Sequence, residues 1–211
     1  MDEDSHYLTL AAAYARGALN RPDLDDEAAL AAAAGAGLRL HRFKRTAGLP
    51  RVRRVLGVLR AFRPARLLDV GSGRGAFLWP LLDGLPGVAV TAIDVLPHRV
   101  EGVACVLRGG VRRLTCARMD ATALGFATGT FEVVTLLEVL EHLPDPEAAA
   151  CEALRVARTA VVASVPSHAD GNPEHVHLLA PVRLEAMFSA AGARRVAVEP
   201  VLGHLVCVAV R

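Results

Sequence analysis

Apolar positions along this chain change period several times. From about residue 67 onward, short runs rich in Val, Leu and Ala recur near residues 67, 89, 112, 132, 160, 194 and 204 and read as strands. Segments near 75, 98, 145 and 182 carry apolar residues at helical spacing instead. This alternation predicts an α/β fold, a mostly parallel sheet covered by helices on both faces with its ligand at the C-terminal edge of the strands. Only Glu199-Pro200 and Gly203 separate the last two runs. That gap is too short for a helix, so the chain must reverse there and make the final strand antiparallel. Ahead of the sheet, residues 5–19 and 23–34 read as alanine-rich helices, the second opened by Pro22-Asp23 and ended by Gly35 and Gly37. A third helix is expected from about Arg51 to Ala61, with Val52, Val55, Leu56 and Leu59 on one face. The chain therefore divides into a helical N-terminal extension, residues 1–62, serving as a cap or lid, and an α/β domain over residues 63–211.

Composition adds limits. With 211 residues, 53% of them hydrophobic, the chain can fill one core, although alanine makes that fraction overstate the bulk available. No apolar run approaches the ~20 residues that span a bilayer. The opening MDEDSHY has neither the basic nor the apolar region of a secretory leader. A cytoplasmic protein with no membrane partner is expected. Cys105, Cys116, Cys151 and Cys207 are scattered without metal-binding spacing, so buried free thiols are expected.

The densest chemistry lies in LLDVGSGRGAFL, residues 67–78. An apolar strand runs into Asp69, glycines alternate at Gly71, Gly73 and Gly75 around Ser72, and a helix pattern follows. Alternating glycines let the backbone turn tightly and approach a ligand. By itself the motif suits NAD or FAD as well as S-adenosylmethionine. The second strand ends in Asp94-Val95, about 20 residues on, where a carboxylate can accept bonds from both ribose hydroxyls. The third leads into Met119-Asp120-Ala121, a second acid suited to an adenine amino group. The fourth opens into EVLEHLPDP, Glu138 to Pro146. A dehydrogenase would also need a substrate domain, for which too little chain remains.

These four motifs, in this order, resemble the class I S-adenosylmethionine-dependent methyltransferases, and the likeness extends over roughly residues 60–211. The resemblance implies a Rossmann-like seven-stranded sheet with a reversed last strand. It also implies S-adenosylmethionine as cofactor, held by Asp69, Gly71, Ser72, Gly73, Gly75, Asp94, Val95, Asp120, Ala121 and Glu138. The fragment Glu138-x-x-Glu141-His142 is similar to one in ubiquinone-pathway O-methyltransferases and small-RNA 3′-terminal ribose 2′-O-methyltransferases, where it supplies metal ligands. His175 best matches the later histidine that completes the set in the RNA enzymes, with His177 a lesser substitute. The expected metal set is thus Glu138, Glu141, His142 and His175, with the two acids one turn apart if helical. It suits Mg²⁺ or Mn²⁺, or Co²⁺, Ni²⁺ or Zn²⁺ if both histidines coordinate. Without a metal, His142 or His175 is the candidate general base. Ser164 and Ser167 are expected near the acceptor.

Charge leaves the acceptor open. Net charge is only +2, yet residues 39–66 hold Arg39, Arg42, Lys44, Arg45, Arg51, Arg53, Arg54, Arg60, Arg63 and Arg66 and no acid. This segment is either an RNA- or anion-binding surface or a solvated helix face. O-methylation of a small molecule is the expected activity, with an RNA ribose as the alternative acceptor. A non-catalytic binding subunit on the same fold is the reading from a different class.

Overall fold

The computed structural model describes residues 5–169 and 171–211. Seven strands form one sheet in the order β3-β2-β1-β4-β5-β7-β6. They are β1 (Arg66–Val70), β2 (Ala89–Asp94), β3 (Leu114–Arg118), β4 (Phe131–Leu137), β5 (Ala157–Pro166), β6 (Arg195–Val201) and β7 (His204–Val210). β1 to β5 pair in parallel, and β7 runs antiparallel to both β5 and β6. The expected hairpin therefore forms, and its reversal places His204, the first residue of β7, opposite Pro166, the last of β5. Strand exits and the start of β7 share one edge.

Helices cover both faces. α1 (Leu8–Leu19), α3 (Pro50–Phe62), α4 (Leu78–Gly84) and α5 (Pro97–Arg108) lie on one side, where Phe43, Leu59 and Trp79 pack with Leu67, Val133 and Val162 of the sheet. α6 (Pro146–Val156) and α7 (Pro181–Ala190) cover the other, where Leu154 and Phe188 meet Leu136 and Val161. Proline stands in the first turn of α3, α5, α6 and α7, where its missing N–H costs nothing. α2 (Asp26–Gly35) begins later than its Pro22-Asp23 opening implied, because Asp25 caps it by accepting the Ala28 N–H at 2.8 Å.

The N-terminal helices are fastened to the sheet's own layers. α3 contributes Val52, Val55, Leu56 and Leu59 to the same core as β1. α1 crosses α5 so closely that a Cβ on Gly109 would stand 1.7 Å from the Ala13 carbonyl oxygen, and one on Gly17 would stand 1.9 Å from that of Cys105. Only glycine permits that approach.

Three local expectations shift. After the glycine turn the regular helix begins at Leu78 rather than near residue 75. The third strand begins at Leu114 rather than Arg112, since residues 112–113 complete a turn. Among the cysteines, Cys105 and Cys207 are buried, but Cys116 is half-buried and Cys151 lies exposed on the solvent side of α6. Burial pushes the Cys207 thiol up to about 12, leaving it inert.

Candidate active site

β1 delivers Asp69 to the sheet edge 2% exposed. Its Oδ1 accepts the Thr135 hydroxyl at 2.7 Å, while Oδ2 is buried with no hydrogen-bond partner. Burial raises the acid's pKa to about 6, opposed by the hydrogen bonds from Thr135 and Ser72 and helped by the nearby charge of Asp94. The chain then turns through Gly71, Gly73 and Gly75, all at positive φ (69°, 56° and 87°). Each glycine is required for a different reason. A Cβ on Gly71 would come within 2.5 Å of the Val139 side chain, and one on Gly75 within 2.0 Å of the Trp79 indole. A Cβ on Gly73 would meet only the Gly71 carbonyl, at 3.8 Å, so its side-chain direction opens onto the cleft.

Three N–H groups of this turn are engaged with the neighbouring strand. Gly71 and Ser72 donate to the Ile93 carbonyl at 2.8 and 3.1 Å, and Gly73 donates to Asp94 Oδ2 at 2.9 Å. A pyrophosphate cradle needs such groups free. Asp94 also accepts the Leu96 N–H at 2.9 Å through Oδ1, which locks its orientation while a carboxylate retains further lone pairs. Val95 beside it is 52% exposed, an apolar surface at the same edge. At the exit of β3, Asp120 takes the Thr122 N–H and hydroxyl, both at 2.8 Å, and these bonds hold its pKa below the usual range. Ala121 is buried behind it.

A cleft opens above the turn, lined by Arg51, Asp69, Gly71 to Arg74, Phe77 and Glu138 among others. Glu138 leaves β4 at φ +57°, a conformation disfavoured for a side chain of its size. Its N–H bonds to the Ser164 carbonyl at 2.9 Å, and its Oε1 accepts the Ser164 hydroxyl at 2.6 Å. Arg51 of α3 stands 3.8 Å from Oε1, and His204 Nε2 lies 3.1 Å from Oε2.

This arrangement corrects the expected four-residue metal set. The positive φ at Glu138 ends the strand abruptly, and a single 3-10 turn, Leu140–His142, follows. Glu138 and Glu141 are consequently not stacked on one helix face, and Glu138 is committed to Ser164, Arg51 and His204. Glu141, His142 and His175 do converge, offering one ligand atom each within 4.8 Å of one another. Glu141 is 1% exposed, and its carbonyl accepts the N–H groups of Val176 and His177 at 2.9 and 3.2 Å, which fastens the His175 loop to the 3-10 turn. The rings of His142 and His175 meet edge to face at 4.7 Å between centroids, and His142 Nδ1 is 2.9 Å from the Glu174 carbonyl. His177 joins the loop but not this group; its Nε2 is buried without a hydrogen-bond partner.

Residues 68–163 match the methyltransferase domain family, taking in the glycine turn, both acidic strand exits and the Glu138 segment. That stretch is a class I methyltransferase domain. The methyltransferase domain is 35% identical over 105 residues to malonyl-[acyl-carrier protein] O-methyltransferase of Geobacter sulfurreducens, a match covering 49% of this chain and 39% of that protein. It is 38% identical over 89 residues to ubiquinone biosynthesis O-methyltransferase of Xanthomonas oryzae pv. oryzae, covering 40% and 35%. The chain thus matches well under half the length of these curated relatives. Among solved structures, a SAM-dependent methyltransferase from Aquifex aeolicus superposes with a TM-score of 0.62 at 19% identity, over 76% of this chain and 96% of that one, which shows the fold. His175 and His204 lie beyond the matched stretch of the methyltransferase domain.

Two groups beside Glu138 lie outside the expected site. Arg51, one of the basic segment, turns inward to line the cleft. His204 carried no signal at all, because nothing around it in sequence distinguishes it; only the reversed strand brings it to Glu138. Four more of the basic segment are drawn into separate contacts: Arg42 lies over Tyr14, Arg45 over Tyr7 and against Asp83, Arg54 pairs with Glu199, and Arg66 lies over Phe131. Among the described residues no helix is long and apolar enough to cross a membrane.

Proposed function

We propose that this chain binds S-adenosylmethionine in the cleft above Gly71–Gly73 and methylates an oxygen of a small-molecule acceptor. The observation that carries the reading is Asp69. A buried carboxylate with one unpartnered oxygen, lining the same cleft as the Arg51 guanidinium, fits the ammonium and carboxylate of an amino-acid zwitterion. Asp94, oriented by two backbone N–H groups, is suited to the ribose hydroxyls, Val95 to the adenine face and Asp120 to its amino group. The cofactor supplies a sulfonium methyl group, so the protein has chiefly to align a nucleophile. Both curated relatives above are O-methyltransferases, which supports oxygen as the target. Arg42, Arg45, Arg51, Arg54 and Arg66 each engage a separate partner within the protein, which weighs against a track for an RNA strand.

Titration calorimetry with S-adenosylmethionine tests the cofactor, and failure to bind overturns the reading in favour of a non-catalytic subunit. Methyl-labelled cofactor incubated with fractionated cell extract tests the acceptor. Label is expected in the metabolite fraction, and label confined to RNA overturns the small-molecule assignment.

Glu141, His142 and His175 support a second element, a divalent ion beside the acceptor. One buried carboxylate with two imidazoles suits Mn²⁺, Co²⁺, Ni²⁺ or Zn²⁺ better than Mg²⁺. His142 Nδ1 on the Glu174 carbonyl leaves Nε2 as its ligand atom, the usual arrangement of a metal-binding histidine. Equilibrium dialysis against Co²⁺ is expected to show one site that His142→Ala removes; no binding, or equal binding by the variant, rejects it.

A further inference from the structure

The Glu138–His204 contact stands at the wall of the cofactor cleft and outside the metal group, and four separate elements converge on it: α3 through Arg51, β4 through Glu138, β5 through Ser164 and β7 through His204. The strained backbone of Glu138 is held there by a bond from its own N–H to Ser164. Such strain persists where surrounding structure imposes it, commonly at a working site. Of the candidate proton-handling groups, Glu138 lines the cleft above the glycine turn, and His142 and His175 are not among its lining residues.

The ring nitrogens of His204 both face acceptors. In the tautomer that donates Nδ1–H to the Leu202 carbonyl, 3.2 Å away, Nε2 is left without a proton. Nε2 then presents a lone pair to Glu138 Oε2 at 3.1 Å. Two acceptors at that separation repel when empty and bond when one proton lies between them. In that tautomer the pair is a receptacle for a single proton, facing the cleft through Glu138. Ser164 and Arg51 are the other polar groups on Glu138, Asp69 lines the same cleft, and His168 approaches the hairpin at Gly203.

We propose that Glu138 takes the proton of the methyl acceptor, with His204 as the positioning residue that shares it, and that the acceptor therefore arrives as a protonated hydroxyl rather than as a carboxylate. This rests on the methyl-transfer reading above. In the step, the acceptor oxygen forms a bond to the methyl carbon while the carbon–sulfur bond breaks, its electron pair remaining on sulfur, which becomes a neutral thioether. The hydroxyl proton passes to Glu138, is held between Oε2 and Nε2, and leaves to solvent after product release. An acceptor already ionised as a carboxylate would need no such receptacle.

Two measurements on the full chain test this, the first independent of turnover. Ring ¹⁵N spectra of His204 are expected to show Nδ1 protonated in the wild type and the Nε2 resonance displaced in Glu138→Gln; His204 signals identical in both proteins overturn the pairing. The second follows labelled methyl transfer to the metabolite fraction. Glu138→Gln is expected to lose about 100-fold or more in rate, within the usual range for general base catalysis. His204→Gln is expected to lose about tenfold. It should also change the shape of the pH–rate profile relative to the wild type, with S-adenosylmethionine affinity kept within about threefold. A His204→Gln profile parallel to the wild type, or wild-type rates in both variants, overturns the proton role. Transfer of label to base-labile methyl esters overturns the hydroxyl assignment. Failure of the wild type to bind S-adenosylmethionine strikes instead at the methyl-transfer reading, and the ring spectra still decide the pair.

Discussion

At the exits of β1 and β2 the site is made largely of backbone, whereas at the exits of β4 and β5 and the start of β7 it is made of side chains from distant elements. In the first region Gly71, Ser72 and Gly73 bond to Ile93 and Asp94 of the adjacent strand, and the glycines leave room for Val139, for Trp79 and for the cleft. In the second, Glu138, Ser164, His204 and Arg51 meet only because the sheet edge gathers them. A backbone-built region depends on a few residues close in sequence. A side-chain-built one depends on the register of the whole sheet.

The comparison breaks most sharply at the glycines. Gly75→Ala is expected to destabilise the domain by about 3 kcal/mol or more, since its Cβ collides with Trp79 and φ is positive, and thermal unfolding would register it. Gly73→Ala is expected to cost only about 1 kcal/mol of stability while weakening the cofactor at least tenfold in calorimetry, because its Cβ enters the cleft. Equal losses of stability at the two positions would show that the turn is structural throughout.

Asp94→Ala removes the anchor shared by Gly73 and Leu96 as well as the proposed ribose contact. Cofactor affinity is expected to fall by about 2–4 kcal/mol, while Asp120→Ala, on an exposed acid bonded to its own Thr122, costs under about 1 kcal/mol. Reversal of that order in paired titrations would move the adenosine toward β3.

Asp69 sets a pH dependence of definite sign. Its folded pKa, raised to about 6 by burial, lies above that of the unfolded acid, so the folded state favours the protonated form. This stabilising contribution is present below the unfolded value of 3.8 and is lost as pH rises toward about 6. Binding of a cation to the ionised acid runs the other way. Affinity for S-adenosylmethionine is expected to be level above pH 6 and to fall by up to about tenfold per pH unit below it. Asp69→Asn should abolish that slope. A slope surviving in the variant would assign it to another group.

The smallest effect concerns the basic segment. Arg53→Glu on α3 is expected to leave both cofactor affinity and the salt dependence of methyl transfer within about twofold, because exposed charges not gathered on one track contribute little. A steep salt dependence abolished by this change would restore an RNA acceptor.

The sequence alone determined what is local. Period changes placed the strands and helices, Gly71, Gly73 and Gly75 announced a turn, and Asp94 and Asp120 stood at strand exits because those residues follow directly from apolar runs. The short Glu199–Gly203 connection implied the hairpin for the same reason: steric limits on a few adjacent residues decide it. Tertiary structure decided which side chains meet. The ExxEH spacing implied two stacked acids, but the positive φ of Glu138 sends one carboxylate to Ser164 and His204 and the other to His142 and His175. Arg51 faces inward because α3 packs its apolar face on the sheet. His204 faces Glu138 because β7 inserts antiparallel beside β5. Contacts between residues so far apart follow from sheet order and register, which depend on the packing of the whole core and leave no trace in the few residues around each partner.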